Sequence, residues 1–106
     1  MKLLWHKEAM ADMSKQLAYC RIHFGKKVAE ACKEEMLSRT NILTIFPYAG
    51  VRELLLSDEP EDFRALIIHT NAKLIYYVDE EKGIIHIYRL WDTRMNPTKL
   101  VRQFKR

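Results

Sequence analysis

Residues 63–97, FRALIIHTNAKLIYYVDEEKGIIHIYRLWDTRMNP, constrain the fold more than any other part of the chain. They hold three runs rich in β-branched and aromatic residues, 63–70, 73–79 and 84–91. Asn71-Ala72 separates the first two and Glu80–Gly83 the last two. Such runs with polar, Gly-containing breaks predict consecutive antiparallel strands. Both alternating faces of each run are partly apolar, so these are central strands. One face should pack on helices. The other should be a concave, partly polar surface reached by the cations Arg64, Lys73, Arg89 and Arg94 and by His69 and His86.

The residues before the sheet predict a strand and a helix pair. Lys2–His6 reads as a short edge strand. From Glu8 to about Phe24, Met10, Met13, Leu17, Cys20 and Phe24 recur at three- and four-residue steps, the stripe of an amphipathic helix. Gly25 can end that helix with a left-handed residue. A second helix runs from Lys26 to about Ile42, with Val28, Ala31, Cys32 and Met36 on its apolar side. A short Gly-containing turn makes the two helices antiparallel neighbours. Pro47 stops the apolar extension that follows, residues 51–56 can form a short strand, and SDEPED at 57–62 reads as a solvated acidic loop. Pro97 can open a terminal helix.

At 106 residues the chain is long enough for one domain, 1–106, with a modest core. Charged residues at 30% and hydrophobic residues at 48% exclude a disordered chain. The net charge of +4 is unevenly spread. From Thr93 onward there are five cations and no acid, so the other 92 residues sum to −1. A local cationic patch suits phosphates or an acidic protein partner. Cys20 and Cys32 have no ligand-type spacing and read as reduced core thiols of a cytoplasmic protein rather than a disulfide. No apolar run approaches the roughly 18 residues of a membrane span, no metal site is expected from the scattered His, and no cofactor motif is present.

The fold class is therefore α+β: an N-terminal strand, an antiparallel helix pair, then a curved, mainly antiparallel sheet of three to four strands. That order resembles the RelE/ParE superfamily of toxins from bacterial type II toxin–antitoxin modules. The residues that carry the resemblance are Trp5, Ala29, Leu43, Phe46-Pro47 with Gly50, Arg52-Glu53-Leu54, Phe63-Arg64 and KLIYYVD at 73–79. The most specific is IYRLWDTR at 87–94, which resembles the family's I-L-R-V-W-D-T-R-x-x-P ending.

The resemblance implies a cognate antitoxin and one of two chemistries. RelE-like members cleave messenger RNA on the ribosome without a metal; ParE-like members inhibit DNA gyrase and cleave nothing. A third alternative is a toxin fold that retains only antitoxin binding. Metal-free RNA cleavage uses the 2′-hydroxyl as nucleophile and needs a base, an acid and cations around the phosphate. The resemblance makes Lys73, Arg89, Arg94 and His69 the catalytic candidates, with Tyr76 and His86 as further proton carriers. Arg64, Lys99 and Arg102 are the nucleic-acid-binding candidates. The expected function is ribosome-dependent mRNA cleavage, with gyrase inhibition as the alternative. One departure stands out: MNPTKLVRQFKR, after Arg94, holds neither the His nor the Tyr that many ribonuclease members carry there. Arg89 with Asp92, and Arg64 with the 58–62 acids, could instead be structural ion pairs, and His86 between Ile85 and Ile87 a structural histidine.

Overall fold

Short alternating segments and one long helical hairpin build a two-layer α+β structure. The computed structural model describes residues 1–94; the expected terminal helix, Lys99 and Arg102 lie outside the described residues. The order is β1 (Lys2–Trp5), α1 (Lys7–Phe24), α2 (Lys26–Asn41), β2 (Val51–Arg52), β3 (Arg64–His69), β4 (Ala72–Asp79) and β5 (Ile84–Asp92). These form one five-stranded sheet in the order β1-β5-β4-β3-β2. The sheet has more strands than the three to four expected, because both short segments join its edges. β1 pairs parallel with β5, Leu3 beside Ile85 and Trp5 beside Ile87, and β2 pairs antiparallel with β3. Edges of four and two residues leave little unpaired backbone for a foreign strand.

Both helices form where the apolar periodicity places them, and Met13, Leu17 and Met36 face the core as expected, but Ala9 and Ala29 take the places expected for Met10 and Val28. In α1, Ala9 and Met13 are buried and Leu17 packs against the same core, whereas Met10 is 57% and Phe24 64% exposed. Residues 9, 13 and 17 are four apart and stack along the axis; Met10 lies about 100° round the helix from Ala9. In α2 the buried residues are Ala29, Met36 and Thr40, while Val28 is exposed. The Thr40 hydroxyl is satisfied inside the helix by donating to the Met36 carbonyl at 2.8 Å. Gly25 joins the helices at φ 93°, ψ 167°. That region is open essentially to glycine alone, and it differs from the left-handed helical cap expected.

The helices cover one face of the sheet. Leu66 and Ile68 of β3, Leu74 and Tyr76 of β4, and Ile85, Ile87 and Leu90 of β5 meet the α1 and α2 residues Ala9, Met13 and Met36. A smaller cluster, Leu56, Phe63, Ala65, Ile75 and Trp91, with Tyr77 and Tyr88 against it, lies apart from this main core. It is built partly from the segment after β2, whose Glu53 N–H donates to the Phe63 carbonyl at 2.9 Å. Strict alternation places Arg89 and Trp91 with Ile85 and Ile87, and the structure corrects this. The register of β4 against β5 shifts between Ile75 and Tyr76, so Tyr88 is an extra residue. The bulge transfers Leu90 to the main core and Trp91 to the second cluster. No helix among the described residues is long and apolar enough to cross a membrane.

Candidate functional site

The two bulges and the ends of β3 and β5 decide which of the polar candidates meet. His69, Arg89 and Arg94 line a cleft of about 610 Å³ together with Asp12, Tyr19 and Cys20. The β3–β4 register shifts between Ile67 and His69, and His69 then meets α2. Its Nε2 stands 3.2 Å from Cys32 Sγ. Its Nδ1 accepts the Thr70 N–H at 2.9 Å, so the neutral ring carries its proton on Nε2.

Arg89 is held on both sides of its fork by Asp12 of α1. Nε donates to Oδ2 at 2.7 Å and Nη2 to Oδ1 at 3.0 Å. The Leu90 N–H also donates to Asp12 Oδ2, at 3.0 Å. The two side chains are 15% and 14% exposed. The pairing of Arg89 with Asp92 considered from the sequence is therefore corrected: Asp92 belongs to Arg94. Arg94 Nε and Nη2 donate to its two carboxylate oxygens at 3.0 and 2.8 Å, and the Arg94 N–H donates at 2.9 Å. The Arg94 guanidinium is the main reason the Asp92 carboxyl titrates below its usual range. Arg94 also lies 5.9 Å from the Tyr19 ring centroid, and it is more than half exposed.

Lys73 stands apart from this cleft. On β4 it lies beside Ile67 of β3 and Trp91 of β5. Its Nζ donates to Glu53 Oε2 at 2.5 Å, with the two side chains 18% and 8% exposed. The same carboxylate group accepts the Leu55 N–H and caps a 3-10 turn at Leu54–Leu56. Arg64 is the structural pair the sequence suggested. Its Nη2 lies 3.7 Å from Asp62 Oδ2, and Nη1 donates to the Gly50 carbonyl at 3.0 Å. Its guanidinium sits 4.9 Å from the Tyr48 ring centroid.

The remaining proton-carrier candidates are also committed. Tyr76 is fully buried and its hydroxyl accepts the Gly50 N–H at 2.9 Å. Burial pushes its phenol up. His86 Nδ1 lies 2.9 Å from His6 Nε2, and its ring stacks on Tyr77 at 4.5 Å. Burial first, and the neighbouring His6 second, lower the His86 pKa below its ordinary 6.5. The unfolded chain therefore takes up this proton before the folded one. Stability should be whole above about pH 6.5 and fall as the pH drops through that value towards the folded one. Melting temperatures measured between about pH 7.5 and pH 5 should show this loss, and His86→Gln should flatten it.

Asp12, Glu53 and Cys32 are the partners that sequence reasoning missed. Asp12 lies on α1, 77 residues before Arg89 in the chain. Its place beside Met13, on the border of the buried stripe, is the signal that was available. Among the described residues, no group of three or more His, Cys, Asp or Glu side chains is placed to hold a metal ion.

A helical hairpin on a mixed sheet, preceded by a parallel edge strand and ending in the Trp-Asp-Thr-Arg turn, defines a small toxin of the RelE/ParE superfamily. The model of the ParE toxin of the type II toxin–antitoxin system parDE matches residues 3–97, and the chain belongs to that family. A solved structure described as a chromosomal ParDE toxin–antitoxin system from P. aeruginosa has a similar fold, with a TM-score of 0.70. The similarity covers 87% of this chain and 95% of that one, at 19% identity. No curated protein sequence matches the chain. Membership of a toxin–antitoxin system implies a cognate antitoxin as partner.

Proposed function

We propose that this ParE-family chain, one toxin domain over 1–106, arrests growth in the cytoplasm by docking on DNA gyrase and inhibiting it, without cutting RNA. The observation that carries the reading is the pairing of the sheet cations. Lys73 is spent on Glu53 and Arg89 on Asp12, each at bonding distance and largely shielded from water. A cation already neutralised by a carboxylate gives little net stabilisation to a pentacoordinate phosphate. Docking on a protein needs neither a free cation nor a proton carrier. The absence of His and Tyr after Arg94 fits the same reading.

Ribosome-dependent mRNA cleavage is the second reading, favoured by the meeting of His69, Arg89 and Arg94 in one cleft. The experiment that separates them adds the purified chain to a gyrase supercoiling reaction and, in parallel, to a translation extract. Inhibited supercoiling with intact mRNA is expected. Cleaved mRNA with unimpaired supercoiling would overturn the proposal. Inactivity in both assays would leave antitoxin binding as the retained function.

A further inference from the structure

The helical hairpin brings together two thiols that neither the family assignment nor the gyrase reading uses. Cys20 comes from the last turns of α1 and Cys32 from the middle of α2, and their sulfurs are 3.6 Å apart. Both are half-buried and free. They open on the cleft lined by Tyr19, His69 and Arg94, so a small reagent has a route to them. His69 Nε2 contacts Cys32 Sγ at 3.2 Å. The Thr70 N–H holds the ring in the tautomer that donates to that sulfur. Cys32 Sγ thus contacts both an imidazole nitrogen, at hydrogen-bond distance, and a second thiol, at van der Waals distance.

We infer that Cys20 and Cys32 are an oxidative modification site, closing to an intramolecular disulfide across the helical hairpin when a hydroperoxide reaches the cleft. The Cys20 thiolate attacks the terminal peroxide oxygen, and the O–O bond breaks. The leaving alkoxide or hydroxide takes up a proton, and Cys20 becomes a sulfenic acid. The Cys32 sulfur then attacks the Cys20 sulfur. The S–S bond forms, the S–O bond breaks, and hydroxide leaves with the proton from Cys32 as water. Two thiols lose two electrons in all, and the hydroperoxide gains them as alcohol, or water, plus water. Burial and the neighbouring Cys20 thiol push the Cys32 thiol up, which suits Cys32 to the resolving step rather than the first attack. The sulfurs must close from 3.6 Å to the disulfide length of about 2.05 Å. Side-chain rotation on adjacent helices can supply that movement. The product ties α1 to α2 beside the cleft, whatever the toxin's target.

The test treats the purified chain with hydrogen peroxide and reads its intact mass and tryptic map without reductant. The expected product is a monomer lighter by about 2 Da. It should carry QLAYCR joined to VAEACK and revert with dithiothreitol. Cys20→Ser and Cys32→Ser should each abolish the mass loss. Intermolecular dimers, or sulfinic acids with no lighter monomer, would overturn the inference. So would a lighter monomer that persists in either variant.

Discussion

Asp12→Ala is expected to lower the unfolding free energy by about 3 kcal/mol, the low end of the cost of stripping one partner from a buried ion pair, because this pair is part-buried. The carboxylate takes three N–H donors, two from Arg89 and one from the Leu90 backbone. Without it the guanidinium is left shielded and uncompensated at the β5 bulge. A domain of this size has roughly 5–15 kcal/mol in hand, so a loss of this order shifts denaturation to much lower denaturant. Equilibrium urea unfolding measures it. The double variant Asp12→Leu/Arg89→Met should recover most of the loss, because apolar side chains of similar volume replace a desolvated pair at little net cost. An Asp12→Ala chain as stable as the parent would mean that the pair is not what fixes β5 on α1.

Gly50→Ala should cost about 3 kcal/mol, as overpacking at a site with no room to yield. An added Cβ would stand 2.7 Å from both the Ala65 carbonyl oxygen and the Tyr76 hydroxyl, and 2.8 Å from a ring carbon of Tyr76. One of those neighbours is backbone, and Tyr76 is fully buried, so neither can swing away. The same glycine donates its N–H to Tyr76 and lends its carbonyl to Arg64. Displacing it disturbs the start of β2 and the Arg64 pair together. Tyr76→Phe separates the two contributions. It keeps the ring and leaves the Gly50 N–H unpaired, for about 1–2 kcal/mol. Thermal melts of the two variants should rank in that order.

These two sites mark the limit of what the chain discloses unaided. The β4 pattern, KLIYYVD, was readable because buried central strands are rich in Val, Ile and Tyr, and its bounds agree with those read from the sequence to within a residue. The order strand, helix pair, sheet followed from periodicity and from Gly25. The first residue of each helix seam was misplaced by one because Ala9 and Ala29 are too small to stand out beside Met10 and Val28, whereas Met13, Leu17 and Met36 lie where the stripes put them. The bulges were invisible because alternation assumes a period of two, and a bulge inserts one residue without any signal in its composition. That single residue decides where Leu90 and Trp91 pack. Partners were the least legible. Asp12 and Arg89 are 77 residues apart, and Glu53 and Lys73 are 20 apart. Nothing local in either sequence stretch distinguishes a cation that holds the fold from one that awaits a phosphate. Nothing local marks Gly50 either, because what requires a glycine there is the close approach of Tyr76 and the Ala65 carbonyl.

The claim at the centre of this account is that Lys73 is a structural cation. The most direct measurement is growth inhibition by the folded double variant Lys73→Met/Glu53→Leu, with folding checked by a cooperative thermal melt. Replacing both partners together removes the charge without leaving the other buried and unpaired. The account predicts that this variant still arrests growth at the parent's level. A cooperatively folded double variant that has lost growth inhibition would contradict it.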